Sequence, residues 1–187
     1  VTFQANAADA NAALASLPYR SDIHFHGSDT LAVTVANGAA STVRTVDLTI
    51  TPVNDAPALT VPEAQIVTED TTLPVPVSVA DADSGLTPAM QLKATATVRH
   101  GTVTLNETTA ASVTFQGTFA EVNTALGALT YRADAHFHGS DLLVINMADL
   151  GNVGEGNKLA ETKTVAITVT PINDAPVITV PVPLPLP

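Results

Sequence analysis

Acidic and amide side chains occur in short clusters whose spacing suits a hard metal ion. Asp81-Ala82-Asp83-Ser84-Gly85 follows a run typical of a strand, and alternate carboxylates lie on one side of an extended chain. Glu69-Asp70 closes an earlier run, and Asn-Asp occurs twice between prolines. Carboxylates this dense repel one another unless a cation lies among them. Oxygen ligands without Cys or His favour Ca²⁺, which accepts about six to eight oxygens, so the sequence predicts calcium binding.

The same acidic residues have a simpler interpretation as solvated side chains in turns. Asp and Asn favour turns because their side-chain oxygens bond to nearby backbone N–H groups. Asp29 and Asp141 in particular each precede an alternating run, where such a bond starts a strand. Both interpretations stay open at the level of sequence.

Histidine forms a second pattern of metal-ligating residues. His-Phe-His occurs at 24–26 and again at 136–138, which places two imidazoles on one face of an extended segment. This is the arrangement of a two-histidine metal site, but no third soft ligand lies nearby in sequence. We therefore predict that Phe25 and Phe137 anchor the core and that the flanking histidines lie at the surface.

Composition and motifs limit the function classes. Seven basic and eighteen acidic residues give a net charge of −11, which argues against nucleic acid and anionic membranes as partners. Cysteine is absent, so disulfides and thiolate metal sites are impossible. No stretch approaches the length of a membrane span, and we expect no membrane insertion in this segment. Neither a Gly-x-Ser-x-Gly elbow nor a phosphate-binding loop is present, and we predict that the chain is not an enzyme.

A tandem repeat carries these clusters. Residues 1–35 and 113–147, aligned without a gap, are identical at 19 of 35 positions. The offset of 112 then widens by seven through extra residues around 150–157. Pro-Val-Asn-Asp-Ala-Pro at 52–57 accordingly returns as Pro-Ile-Asn-Asp-Ala-Pro at 171–176, which makes the repeat 119 residues long (171 − 52). Tandem arrays of this kind are typical of spacers and binding stalks.

The repeat defines the predicted domain organisation. Residues 1–57 are the C-terminal half of one repeat, and 58–176 are a complete repeat. Residues 177–187 are either the first strand of a following repeat or a proline-rich tail.

Short alternating runs of Thr, Val, Ala, Leu and Ile, bounded by Gly, Asn, Asp and Pro, predict an all-β fold of the β-sandwich type. In the complete repeat the predicted strands are 58–62, 65–69, 74–80, 91–98, 101–106, 111–116, 128–132, 141–148 and 161–170. His100-Gly101 lies between two such runs and suggests a tight hairpin. Phe119, Val122 and Leu126 have helical spacing and predict one or two helical turns, as residues 8–14 do less clearly.

The stretch from 123 to 176 combines several of these motifs. It contains Leu-Thr-Tyr at 129–131, Phe-His-Gly-Ser-Asp at 137–141, Leu-Val-Ile at 143–145 and Asn-Asp-Ala-Pro at 173–176. This combination resembles the cadherin-like repeats of giant bacterial surface adhesins, and the resemblance covers the complete and the partial copy. It implies an Ig/cadherin-like β-sandwich in tandem repeats, with one short helical turn per repeat and Ca²⁺ at each joint.

The resemblance also implies the calcium ligands. At the first joint they are Asn54, Asp55, Asp81, Asp83 and Asp149, with Asp29 as a weaker candidate. At the second joint they are Glu69, Asp70, Asn173 and Asp174, with Asp141 as a weaker candidate. The chain departs from the pattern in two ways. Asn37 occupies the position of Asp149 in the first copy, which also has no counterpart of Glu69, and the third copy stops before its own Asp-x-Asp.

The function implied by the resemblance is that of a calcium-stiffened spacer in a large extracellular bacterial adhesin, secreted or at the cell surface, which mediates surface attachment or biofilm formation. Its partners are the neighbouring repeats of the same chain. A filament subunit is an alternative, in which a neighbouring chain supplies strands to the unsatisfied edges of 1–57. A glycan- or protein-binding module is another, although aromatic residues make up only 4% and Trp is absent, which argues against glycan stacking.

Overall fold

The computed structural model describes residues 1–87, 90–151 and 153–178, and it confirms the all-β class. The chain divides into two compact units, Val1–Val53 and a second that begins at Asn54. This division lies within the Pro-Val-Asn-Asp-Ala-Pro segment at 52–57, which forms the predicted joint between the two repeats and is called the linker below. Of the predicted final segment, 177–187, only the exposed Val177 and Ile178 lie among the described residues, and neither belongs to a strand.

The first unit is a helix followed by a hairpin. Helix α1 spans Ala7–Ala15, and strands β1 (Gly27–Asn37) and β2 (Ala40–Ile50) pair antiparallel along their whole length. The Asn6 side chain caps the helix by accepting from the Asp9 N–H (3.0 Å), since Asn is a favoured N-cap residue. No residue of Val1–Val53 is buried, so this unit has no core of its own.

The second unit holds the remaining elements. Its strands are β3 (Ala58–Thr60), β4 (Gln65–Thr68), β5 (Thr72–Pro74), β6 (Ser78–Ala80), β7 (Gln91–Thr97), β8 (Gly101–Leu105), β9 (Thr108–Ala110), β10 (Ser112–Thr118), β11 (Thr130–Ala133), β12 (Gly139–Ala148) and β13 (Ala160–Thr170). Helix α2 spans Phe119–Gly127 as predicted, and a capping box between Thr118 and Glu121 begins it. A 3₁₀ helix spans Ala82–Gly85. Across the described part of the chain, no helix combines the length and apolarity that a membrane crossing needs.

The strands of the second unit form three sheets. The largest has the order β10-β7-β12-β13-β4, in which only β4 and β13 run parallel. The second has the order β5-β11-β8-β9, and β3 and β6 form a two-stranded sheet. Strands of the two larger sheets bury alternate residues, as expected where one face of a sheet is covered. Leu92 of β7, Val103 of β8, Leu143 of β12 and Leu126 of α2 all belong to one hydrophobic core.

The predicted strand 74–80 is wrong, because two short strands in different sheets replace it. β5 ends at Pro74 and β6 begins at Ser78, while Pro76 between them has no N–H to donate to a ladder. The buried Val75 and Val77 instead donate to the carbonyls of Leu129 and Leu126 (2.8 and 3.1 Å). The prolines thus redirect the chain from one sheet to another.

The predicted hairpin at 100–101 is also wrong, since β7 and β8 belong to different sheets. β8 pairs with β11, and Gly101 lies opposite Ala133 in that ladder. A Cβ atom at Gly101 would lie 2.3 Å from the Arg132 carbonyl oxygen. Glycine is therefore needed for close approach of two backbones where the chain crosses between sheets.

Gly101→Ala is expected to destabilise the second unit by about 3 kcal/mol. The added methyl group would clash with the Arg132 carbonyl oxygen, and a backbone atom cannot move aside as the end of a flexible side chain would. Gly127→Ala is the matched control, since a Cβ atom there has no neighbour within 4 Å. Urea unfolding followed by circular dichroism measures both. Equal midpoints for the two variants would contradict the backbone clash.

Candidate metal centres

Asn54 attaches the linker to the body of the second unit. Its N–H donates to the Glu155 carbonyl (2.9 Å), and its side-chain Nδ2 donates to Asp149 Oδ2 (2.6 Å) and to the Asn157 carbonyl (3.0 Å). Asn54 is buried. It was predicted as a metal ligand, and the structure places it where it also fixes the orientation of a neighbouring carboxylate.

The partners of Asn54 come from the segment in which the two copies differ in length. The hairpin β1–β2 closes with two residues, at 38–39, whereas β12 and β13 are joined by the loop at 149–159. Glu155 and Asn157, which were not among the predicted site residues, lie in this longer loop. The interruption of the repeat is the sequence signal that points to them.

Asp149 is held in place from three directions. Its Oδ1 accepts from the backbone N–H groups of Gly151 (2.8 Å) and Leu159 (2.9 Å), while Oδ2 accepts from Asn54. The side chain is buried at the end of β12. The loop backbone therefore fixes this carboxylate in position before any ion binds.

Asp81 and Asp83 follow β6 in a 3₁₀ turn, so the predicted extended arrangement of their carboxylates is wrong. Asp81 is the N-cap, and its Oδ1 accepts from the Asp83 N–H (2.9 Å), a bond that favours a helical turn over extended chain. Asp83 Oδ2 in turn accepts from the Asp55 N–H (2.7 Å). The turn therefore draws the linker residue Asp55 towards the two acids.

The second oxygen of Asp81 is buried and has no hydrogen-bond partner. Asp81 is 9% exposed, and its burial raises the pKa of the carboxyl, with further increases from the charges of Asp83, Asp149 and Asp55. The bond from the Asp83 N–H opposes this rise but does not reverse it. Asp83, Asp149 and Asp55 are thus near enough to Asp81 for their charges to act on it, although among the described residues only Asp70, His136 and Asp174 offer ligand atoms that all lie within 4.8 Å of one another.

The raised pKa of Asp81 links the stability of the metal-free protein to pH. Folding favours the protonated carboxyl, and this stabilisation is present below the ordinary value of 3.8. It is lost as the pH rises through the higher pKa of the folded state. At neutral pH the ionised Asp81 lowers the free energy of unfolding unless a cation compensates its charge.

The donor set of this first cluster suits a hard cation. Buried polar atoms are nearly always satisfied in folded proteins, and the orphan oxygen of Asp81 points to a missing partner. Asp55, Asp83 and Asp149 supply further carboxylate oxygens, and the described contacts of the cluster involve no imidazole or thiol. Such an all-oxygen set fits Ca²⁺.

A second cluster forms where β4 and β13 end. Glu69, also buried, accepts from the Ile172 N–H through Oε1 (2.6 Å) and donates its own N–H to the Thr170 carbonyl (2.9 Å). Asp70 and Asp174, predicted together for the second joint, each offer a carboxylate oxygen within 4.8 Å of the other. Asn173, predicted with them, is exposed.

His136 joins the second cluster, although sequence reasoning placed it only at the surface. Its Nδ1 lies 2.9 Å from Asp174 Oδ2, and the side chain is 71% exposed. Phe137 packs against the core as predicted, with its ring stacked on His100 at 4.4 Å. The core prediction is wrong for Phe25, which is 39% exposed because the first unit buries none of its residues.

Asp141 and Asp29, the weaker ligand candidates, have structural partners. Asp141 is buried and accepts four hydrogen bonds, from the N–H groups of Arg99, His100 and Leu142 and from the Tyr131 hydroxyl. Asp29 accepts from the Tyr19 hydroxyl (2.7 Å) and from the Thr30 N–H (2.7 Å). Both copies therefore use this aspartate to bind a tyrosine and to start a strand.

The two clusters lie at opposite ends of the hairpin β12–β13. Ala148 opposite Ala160 marks the end at Asp149, and Gly139 opposite Val169 marks the other end, near Glu69. Nine residue steps along a strand span about 30 Å.

No protein-family model matches the sequence, and no curated protein matches it.

Proposed function

We propose that this chain is a calcium-binding spacer segment of a large extracellular bacterial adhesin. The observation that carries the proposal is the buried, unpartnered Oδ2 of Asp81 among the carboxylates of Asp55, Asp83 and Asp149. A divalent cation bound there satisfies the orphan oxygen and removes the repulsion between like charges.

The residues of this site come from the start of the second unit and from its body, and for this reason we propose a mechanical role. Asn54 and Asp55 belong to the linker, whereas Asp81, Asp83 and Asp149 belong to the body of the repeat. An ion shared between them would hold the first residues of the second unit against its body. Contacts between small consecutive domains are otherwise weak, so the ion supplies the stiffness of the array.

The Ig/cadherin-like sandwich is part of the same proposal. It is supported by the five- and four-stranded sheets, which contribute to one hydrophobic core. The short helix before the Leu-x-Tyr strand, α2, and its counterpart α1 support one helical segment per repeat. We propose the cell surface or the secreted fraction as the location.

Small-angle X-ray scattering on several consecutive copies tests the proposal. We expect a longer maximum dimension and a stiffer profile in Ca²⁺ than in chelator. The double variant Asp81→Asn/Asp83→Asn is expected to give the chelator profile in both buffers. Identical profiles of the unmodified protein with and without Ca²⁺ would overturn the mechanical role.

A second candidate function is a filament subunit completed by strands of a neighbouring chain. The hairpin β1–β2 corresponds to β12–β13, which pairs with β7 on one side and β4 on the other. Within residues 1–87, 90–151 and 153–178, β1 and β2 pair only with each other, and Val35, Val43 and Val46 are 57%, 52% and 50% exposed. Exposed strand edges with apolar side chains favour strand addition. Analytical ultracentrifugation tests this candidate, which requires concentration-dependent assembly that Val35→Lys weakens.

A further inference from the structure

We propose that Asp70, His136 and Asp174 form a second metal site, selective for a first-row divalent cation such as Zn²⁺ over Ca²⁺. The three side chains offer two carboxylate oxygens and one imidazole nitrogen, all within 4.8 Å of one another. The site lies near the end of the repeat opposite Asp149. It does not depend on calcium binding at the first cluster.

The three ligands come from separate segments that backbone contacts hold together. Asp70 follows β4, which pairs parallel with β13, and Glu69 anchors the chain beyond β13 through the Ile172 N–H. Asp174 lies two residues further along that chain. The positions of the two acids thus follow from strand pairing.

His136 is positioned by its neighbour in sequence. The Phe137 N–H donates to the Asp134 carbonyl (3.0 Å), while the Phe137 ring stacks on His100 and packs against the core. The His136 Nδ1 then faces Asp174 Oδ2 at 2.9 Å. A metal ion between these groups replaces that contact without moving a buried side chain.

The donor set determines the class of metal. Imidazole suits Zn²⁺, Cu²⁺ and Ni²⁺, whereas Ca²⁺ takes oxygen ligands in larger number. Glu69, which the resemblance assigns to calcium, is buried and uses Oε1 for the Ile172 N–H. Two carboxylates and one imidazole, with water in the remaining position, match a three-ligand zinc site.

Titration calorimetry with Zn²⁺ on the full chain, in saturating Ca²⁺, tests the proposal. Calcium occupies any all-oxygen site and leaves the mixed site for zinc. We expect one Zn²⁺ per chain, with affinity reduced by about tenfold or more in His136→Gln, because even the loss of an outer partner of a metal ligand has an effect of this size. Asp70→Asn is expected to give a similar loss.

His138→Gln is the matched control, since it removes an exposed imidazole two residues away. Its zinc affinity should equal that of the unmodified protein, as should that of Asp81→Asn/Asp83→Asn, which separates this site from the first cluster. Equal losses in His136→Gln and His138→Gln would indicate a histidine-pair site and overturn the proposal. Absence of saturable binding, or displacement of Zn²⁺ by Ca²⁺, would also overturn it.

Discussion

Chelation of calcium is expected to lower the thermal midpoint of the second unit by about 10 °C. A ligand at 100 times its dissociation constant stabilises the folded state by about 2.7 kcal/mol, and a domain of this size gains a few degrees per kcal/mol. On the proposed function, this stabilisation would come from the cluster of Asp55, Asp81, Asp83 and Asp149, where a bound ion would compensate the repulsion between carboxylates and the unpartnered oxygen of Asp81. Differential scanning calorimetry in Ca²⁺ and in chelator measures the shift.

Asp81→Asn tests the same cluster more directly. The variant should have a higher thermal midpoint than the unmodified protein in chelator and a lower one in Ca²⁺. In chelator the variant removes a buried charge and keeps the acceptor for the Asp83 N–H, so its midpoint should exceed that of the unmodified protein. In Ca²⁺ it loses a ligand, and its midpoint should be lower. Asp134→Asn, at an exposed position, is the control and should change neither value by more than about 2 °C. A lower midpoint of Asp81→Asn in chelator would contradict the unfavourable buried charge.

Asp141→Ala is expected to destabilise the second unit by about 3–5 kcal/mol, and equally with and without Ca²⁺. The substitution leaves the buried Tyr131 hydroxyl and the N–H groups of Arg99 and His100 without the acceptor they share. A donor that loses its acceptor in a buried site costs about 1–3 kcal/mol. The total is reduced because the Tyr131 hydroxyl keeps the His100 carbonyl as an acceptor and water can reach the exposed residues Arg99 and His100. Urea unfolding in both buffers measures the loss.

Tyr131→Phe separates the hydroxyl from the rest of this network. It removes the hydroxyl that donates to Asp141 and to the His100 carbonyl, while the ring stays in the core. We expect the free energy of unfolding to fall by about 1 kcal/mol. If Asp141→Ala instead reduced stability only in Ca²⁺, Asp141 would be a metal ligand, as the resemblance allowed.

The elements were predictable wherever local pattern and tertiary environment agree. The alternation in β12 and β13 and the spacing of Phe119, Val122 and Leu126 gave strands and a helix close to those found. The chain crossing at Gly101 was not predictable, because two alternating runs separated by glycine look the same whether they pair or diverge. The close approach of Gly101 to the Arg132 carbonyl exists only in the folded chain, so the sequence does not reveal that the two runs belong to different sheets.

In the candidate sites, too, the residue types were predictable and their tertiary contacts were not. Charge density drew attention to Asp81 and Asp83, and only the resemblance grouped Asp149 with them. Their backbone partners could not be predicted, because the Asn54 contacts to the carbonyls of Glu155 and Asn157 depend on how a long loop folds. The contact of His136 with Asp174 joins residues 38 positions apart, and no spacing rule relates them.

The difference in length between the two hairpins has a consequence for an array that contains both kinds of copy. The loop at 149–159 carries the carbonyls that hold the linker residue Asn54, and it begins with Asp149. The first copy turns within two residues and has Asn37 in place of that aspartate. On the proposed function, a copy with the long loop forms a locked joint and a copy with the short turn forms a hinge. The order of loop lengths along the array would then determine where the stalk bends.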